Sequence, residues 1–189
     1  MVKGTIDPTA RNVKGAILTP EQIAAAGTEH AHQAAIFQWI ATGGAHTYAQ
    51  CLDLLFAVPN GGDRKAHVGG RMKAEGVKSG VPDMCWPIKR FGYAGLWIEL
   101  KKPSELGKKN QGRSDKQIWW QKRLLEQGYA VVTAFGWQAA CWVLVLYEDS
   151  RLTMPSDGDC FMATPCTETP PVVTCAESDT PVPSDTDMG

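Results

Sequence analysis

Long apolar runs are missing from this chain. No stretch reaches the ~18 uncharged apolar residues that a membrane helix needs. The N-terminal MVKGTIDPTARNVKG lacks the apolar segment of a secretory leader. These absences lead to the expectation of a soluble, cytoplasmic protein with no membrane partner. Patterned cysteine is missing too. Cys51, Cys85, Cys141, Cys160, Cys166 and Cys175 contain no CxxC, and none stands at zinc-like spacing from His30, His32, His46 or His67. A zinc module and a disulfide framework are therefore set aside, and free thiols in a reducing compartment are expected. No internal repeat is visible, so a solenoid is excluded.

What is present is enough for one core. The 189 residues are 43% hydrophobic, which suits a single domain with appendages. The net charge of -1 hides a strong polarity. Residues 64–123 hold fifteen Lys and Arg against five acids, an excess of ten positive charges. Residues 150–189 hold seven acids against Arg151. A basic excess that dense points to a polyanionic partner, with nucleic acid the obvious candidate. The last forty residues are rich in Pro, Thr, Ser and Asp, with too few apolar groups to offset the entropy of ordering them. They are expected to form a disordered acidic tail, 150–189. Residues 1–27 read as an N-terminal extension with a short helix, and 28–149 as the folded domain.

Within that domain the punctuation is clear. Thr19-Pro20-Glu21-Gln22 combines an N-cap, a proline at N1 and a capping-box glutamine. Thr28 caps a second helix to about Ala41, with Ala35, Ile36, Trp39 and Ile40 buried. DLLFAVPN (53–60) reads as a strand entering a turn, and KAHVGGRMKAE (65–75) as a glycine-interrupted helix. MCWPI (84–88) and GLWIELK (95–101) read as strands. Ser114 to Gln117 is a second capping box, opening a helix that Gly128 stops. YAVVTAF (129–135) is a buried strand, and 137–147 a last helix. The expected class is α/β (α+β), in αβββαβ order closed by that helix. Trp86, Trp119, Trp120, Trp137 and Trp142 are expected in the core or an interface, because they recur inside apolar elements.

One strand carries an anomaly. Alternation in GLWIELK sets Trp97, Glu99 and Lys101 on one sheet face. A carboxylate and an ammonium in an apolar strand need a partner or water. Either the pair lies at the strand end and meets solvent, or Glu99 joins Asp83, from the preceding strand, in a hard oxygen site for Mg2+ or Mn2+. Acid-x-Lys alone does not decide, since Asp63-Arg64-Lys65 repeats it in a turn. A proline-aspartate pair sixteen residues before Glu99, at the start of a strand, adds the missing context.

With that context, GVKSGVPDMCWP, GLWIELKK and Gln117-x-x-Trp120 resemble the VRR-NUC branch of the PD-(D/E)XK nuclease superfamily, in its short phage form. PNGG (59–62), RMKAEG (71–76) and a first helix with Glu29 and Gln33 extend the likeness over about residues 28–147. The resemblance implies a restriction-endonuclease-like core, a central mixed β-sheet flanked by helices, and a metal-dependent DNA endonuclease. It implies Glu29, Asp83, Glu99 and the backbone carbonyl of Leu100 as metal ligands. Lys101 would orient or help deprotonate the attacking water, and Gln117 would complete the site. The dipole at a helix start also favours Glu29, and the capping box also accounts for Gln117.

The basic residues Arg64, Lys65, Arg71, Lys73 and Lys78 before the site, and Lys102, Lys108, Lys109, Arg113 and Lys116 after it, are candidates for phosphate contacts. The resemblance adds Asn60. It also implies a homodimeric Holliday-junction-resolvase-like enzyme acting in a bacterial host, with no organic cofactor. A flap or nicking nuclease and a non-catalytic DNA-binding module are the competing readings.

Overall fold

The computed structural model describes residues 17–42, 52–59, 71–72, 74–156, 158–166 and 168. Asn60, Arg64, Lys65 and Lys73, most of the expected N-terminal extension and residues 169–189 lie outside the described residues, as do Cys51 and Cys175.

Helix α1 (Pro20–Ala24) starts as its sequence dictates, with Thr19 and Gln22 closing a capping box. Helix α2 (Glu29–Ala41) follows from the Thr28 cap, whose side chain accepts from the Ala31 N–H. Strands β1 (Phe56–Ala57), β2 (Met84–Trp86) and β3 (Leu96–Lys101) come next, then helix α3 (Asp115–Glu126), strand β4 (Ala130–Phe135), helix α4 (Trp137–Glu148) and strand β5 (Phe161–Ala163). The five strands lie in the order β1-β2-β3-β4-β5. Neighbours β1, β2 and β3 are antiparallel, while β3, β4 and β5 are parallel. The mixed sheet flanked by helices is the expected fold class.

Alternation along the strands splits the core. Leu96, Ile98 and Leu100 of β3, with Met84 and Trp86 of β2, pack against Ile36 and Trp39 of α2 and against the apolar α4. Val131 of β4, on the opposite face, packs with Leu124, Trp120 and Trp97 beneath α3. Each large side chain buried this fully contributes roughly 1.5–3 kcal/mol. No helix among the described residues is long and apolar enough to cross a membrane.

Two expectations need correction. The strand expected over 53–60 is only Phe56–Ala57, because Leu52 and Leu55 turn inward from a preceding helical turn. The boundary at residue 149 is too early. After α4 the chain buries Leu152 and Cys160 and then adds β5 to the sheet. Proline- and aspartate-rich composition concealed a three-residue strand that no periodicity could reveal.

Candidate functional site

The site grows from the register of two strands. Met84 pairs with Ile98 and Cys85 with Trp97, so continuing the antiparallel register by one residue sets Asp83 across from Glu99. Directly paired residues share a face, so the two carboxylates lie on the same side of the sheet. Gly80 fixes the approach to Asp83. Its φ is +87°, and a Cβ there would lie 2.7 Å from the Cβ of Lys116, so the turn docks on the start of α3 only as glycine. The Asp83 carboxylate then accepts from the Leu100 N–H at 2.9 Å, and its own carbonyl accepts from Val58 at 2.7 Å.

Glu99 is fully buried. Its Oε1 sits 2.9 Å from Lys101 Nζ and accepts a short hydrogen bond from Gln117 Nε2. Its Oε2 has no hydrogen-bond partner among the described residues. Lys101 is also buried and lies 3.6 Å from Glu29 Oε1 at the first position of α2. Desolvation, reinforced by the Asp83 charge, pushes the Glu99 carboxyl up to about 8, against the opposing pull of Lys101. Burial works against the Lys101 ammonium, yet Glu99, Glu29 and Asp83 together hold its pKa above the ordinary lysine value.

Gln117 both caps α3 and reaches Glu99. Its Oε1 accepts from the Ser114 N–H at 2.8 Å to cap α3, which turns the Nε2 end onto Glu99. One turn further on, Gln121 donates to Thr133 at 3.0 Å, and Thr133 pairs with Glu99 across β3 and β4. The spacing Gln117-x-x-x-Gln121 is the sequence signal for this second, unanticipated residue. Cys85, on the same sheet face, is buried and its thiol is pushed up to about 11, too high for a metal-binding thiolate at neutral pH.

The residues present fit a hard divalent cation. A buried carboxyl with one oxygen lacking a hydrogen-bond partner among the described residues, an opposing aspartate and a third carboxylate nearby form an oxygen-rich pocket whose one buried cation is Lys101, and a divalent ion would favour the ionised form of Glu99. Among the described residues no group of three His, Cys, Asp or Glu side chains is disposed to hold a metal ion. Glu29 faces Lys101 in this arrangement. Asp83 and Glu99, with the Leu100 carbonyl, would be the donor set for such an ion, and water would complete its shell.

The surrounding cations divide. Lys102 and Lys108 converge on Glu105 at 3.8 and 2.9 Å, and Lys109 is exposed. The hydrogen bond from Lys108 holds the Glu105 carboxyl below its usual range. Arg71 pairs with Glu75 in solvent, and Lys78 and Lys116 are exposed. Arg113 is the correction. Its side chain is only 7% exposed and donates to Gln121 Oε1 at 2.7 Å and Cys160 Sγ at 3.0 Å. It is a tie inside the fold, with no free face for a phosphate. Among the tryptophans, Trp86 and Trp137 are buried and Trp120 half-buried, as expected, but Trp119 is 57% exposed.

Comparison with solved structures finds one described as a VRR_NUC domain protein, which aligns over 65% of this chain and 89% of its own, with 26% identity and a TM-score of 0.51. The chain therefore has a VRR-NUC-like fold. No protein-family model matches it, and no curated protein sequence matches it.

Proposed function

We propose that this chain is a metal-dependent, structure-selective DNA endonuclease of the VRR-NUC kind. It works as a phage-type homodimer on Holliday junctions in the cytoplasm of a bacterial host. The observation that carries the reading is Glu99: buried, with Oε2 orphaned, Oε1 held by Lys101 and Gln117, and Asp83 opposite. The VRR-NUC-like neighbour supports the nuclease class. Asp83, Glu99 and the Leu100 carbonyl would hold Mg2+ or Mn2+. Such an ion supplies Lewis-acid charge neutralisation and a more acidic bound water.

The rest is done by side chains. Lys101, kept as an ammonium by its acidic neighbours, donates toward the attacking water or the phosphate. Gln117 holds Glu99 in one rotamer. Arg71, Lys78, Lys102, Lys108 and Lys109 balance backbone phosphates, giving affinity that falls steeply with salt and reads no sequence. A two-fold dimer suits a junction with two symmetric cuts.

The test incubates purified protein with four-way junction, flap and linear duplex, with Mg2+ or Mn2+ and with EDTA. Paired symmetric cuts in the junction are expected only with metal. Asp83→Ala should cut nothing, while Gln117→Ala should lose about 10- to 100-fold in rate. Preferred cutting of the flap would replace the resolvase reading with a flap nuclease. Binding without cleavage would leave a DNA-binding module.

A further inference from the structure

Beside the site lies a groove of about 540 Å3, of whose lining the proposed function uses only Lys78. One wall is Val77, Lys78 and Ser79; the other is the start of α3, with Asp115, Lys116, Trp119 and Trp120. Both walls run directly into site residues. Ser79 precedes the Gly80 turn that delivers Asp83, and Trp119 stands two residues after Gln117 in the same helix. The walls are fastened together by the glycine-dependent contact of Gly80 with Lys116, and by Lys116 Nζ donating to Ser79 Oγ at 3.2 Å.

The lining is chemically mixed in a particular way. Trp119 exposes 57% of its surface, and its ring is braced edge-on by Trp120, with centroids 5.4 Å apart at 86°. An exposed indole held in one orientation is an uneconomical core residue but a good stacking platform. Two exposed lysines flank it, against the single acid Asp115. An aromatic face between cations is the arrangement that takes an unpaired base and its phosphate, because stacking tolerates any base and lysine tracks the backbone. The volume lies within the range of small-ligand sites, about 300–1,000 Å3. A duplex keeps its bases stacked on one another and offers nothing to Trp119.

We infer that this groove holds an unpaired nucleotide of a DNA strand, with the base on Trp119 and the phosphate on Lys78 and Lys116. The inference rests on the nucleic-acid reading above and deepens it. In a four-way junction, whose arms are fully paired, that nucleotide is one opened at the branch point next to the site.

The test is binding by the full chain in EDTA, so that cleavage plays no part. Fluorescence anisotropy compares a fluorescein-labelled oligothymidylate with a blunt duplex of equal length. Trp119→Ala should bind the oligothymidylate about tenfold more weakly, as expected for one lost stacked base. It should bind the duplex as the wild type does, and Trp119→Phe should retain most of the affinity. Replacing Lys78 and Lys116 by Ala should lower the salt slope for the oligothymidylate by about one to two. Equal oligothymidylate binding by Trp119→Ala and wild type would overturn the inference, as would an equal loss on both probes. An altered oligomeric state with unchanged DNA binding would assign Trp119 to a protein interface. If the wild type cuts no DNA yet shows the Trp119-dependent preference, the nuclease reading fails and the groove stands.

Discussion

Glu99 sits where every neighbour acts on its charge. Burial and the Asp83 and Glu29 carboxylates favour the protonated form, and Lys101 favours the ionised one, with the carboxyl left at about 8. An acid raised on folding binds more protons in the folded than in the unfolded state, so stability falls as pH rises from the usual carboxylate range through about 8. Shifts of this size correspond to a few kcal/mol. Urea denaturation in EDTA should therefore show the wild type losing stability from mildly acidic to mildly alkaline pH, with Glu99→Gln giving a flatter profile. Mg2+ should restore the loss, most at the alkaline end, because it competes with the proton. A flat wild-type profile, or the same slope in Glu99→Gln, rejects this account. That Glu99 and Lys101 share a face was legible in the sequence because β alternation dictates where they point, whereas Asp83 entered on the proline-aspartate spacing, and its register with Glu99 came only with the structure. The partner of Gln117 was not legible, since a capping glutamine shows nothing of what its other end reaches.

At the level of elements, the segment after α4 is the least legible and the most instructive. Leu152, Cys160 and Ala163 are buried although the composition around them reads as a tail. Arg113 binds this segment to α3, through Cys160 and Asp159, and to Gln121 beneath Glu99. Lone apolar residues among Pro, Asp and Thr carry no period, and an arginine in a lysine-rich loop looks like any other surface cation. Yet a chain ending at Asp149 would bare the β4 edge and the Leu124 cluster, and should lose about 3 kcal/mol or more in urea denaturation. A chain ending at Glu168 should unfold like the full one. Arg113→Ala should cost about 1–3 kcal/mol by removing its buried hydrogen bonds to Gln121 and Cys160. It should leave the salt slope of DNA binding unchanged, whereas replacing Lys108 and Lys109 should lower that slope by about two. The opposite pairing of effects would return Arg113 to the DNA surface.

Over the whole molecule, charge is sorted along the chain. The basic excess spans the site from residue 64 to residue 123, and residues 169–189 carry Glu177, Asp179, Asp185 and Asp187 with no Lys or Arg. A covalently attached acidic segment is present at a high effective concentration whatever the protein concentration. As a tethered polyanion it is expected to compete with DNA phosphates for the same lysines. Both contacts are electrostatic, so both weaken as salt shortens the Debye length from about 30 Å at 0.01 M to about 8 Å at 0.15 M. Removing residues 169–189 should accordingly raise duplex affinity at low salt, and the gain should shrink as salt increases. The deletion leaves Phe161–Ala163 in place, so stability should not change and cannot account for the result. Anisotropy titrations of the two chains over a salt series decide it. Coincident curves at low salt would mean that the acidic segment does not meet the basic face.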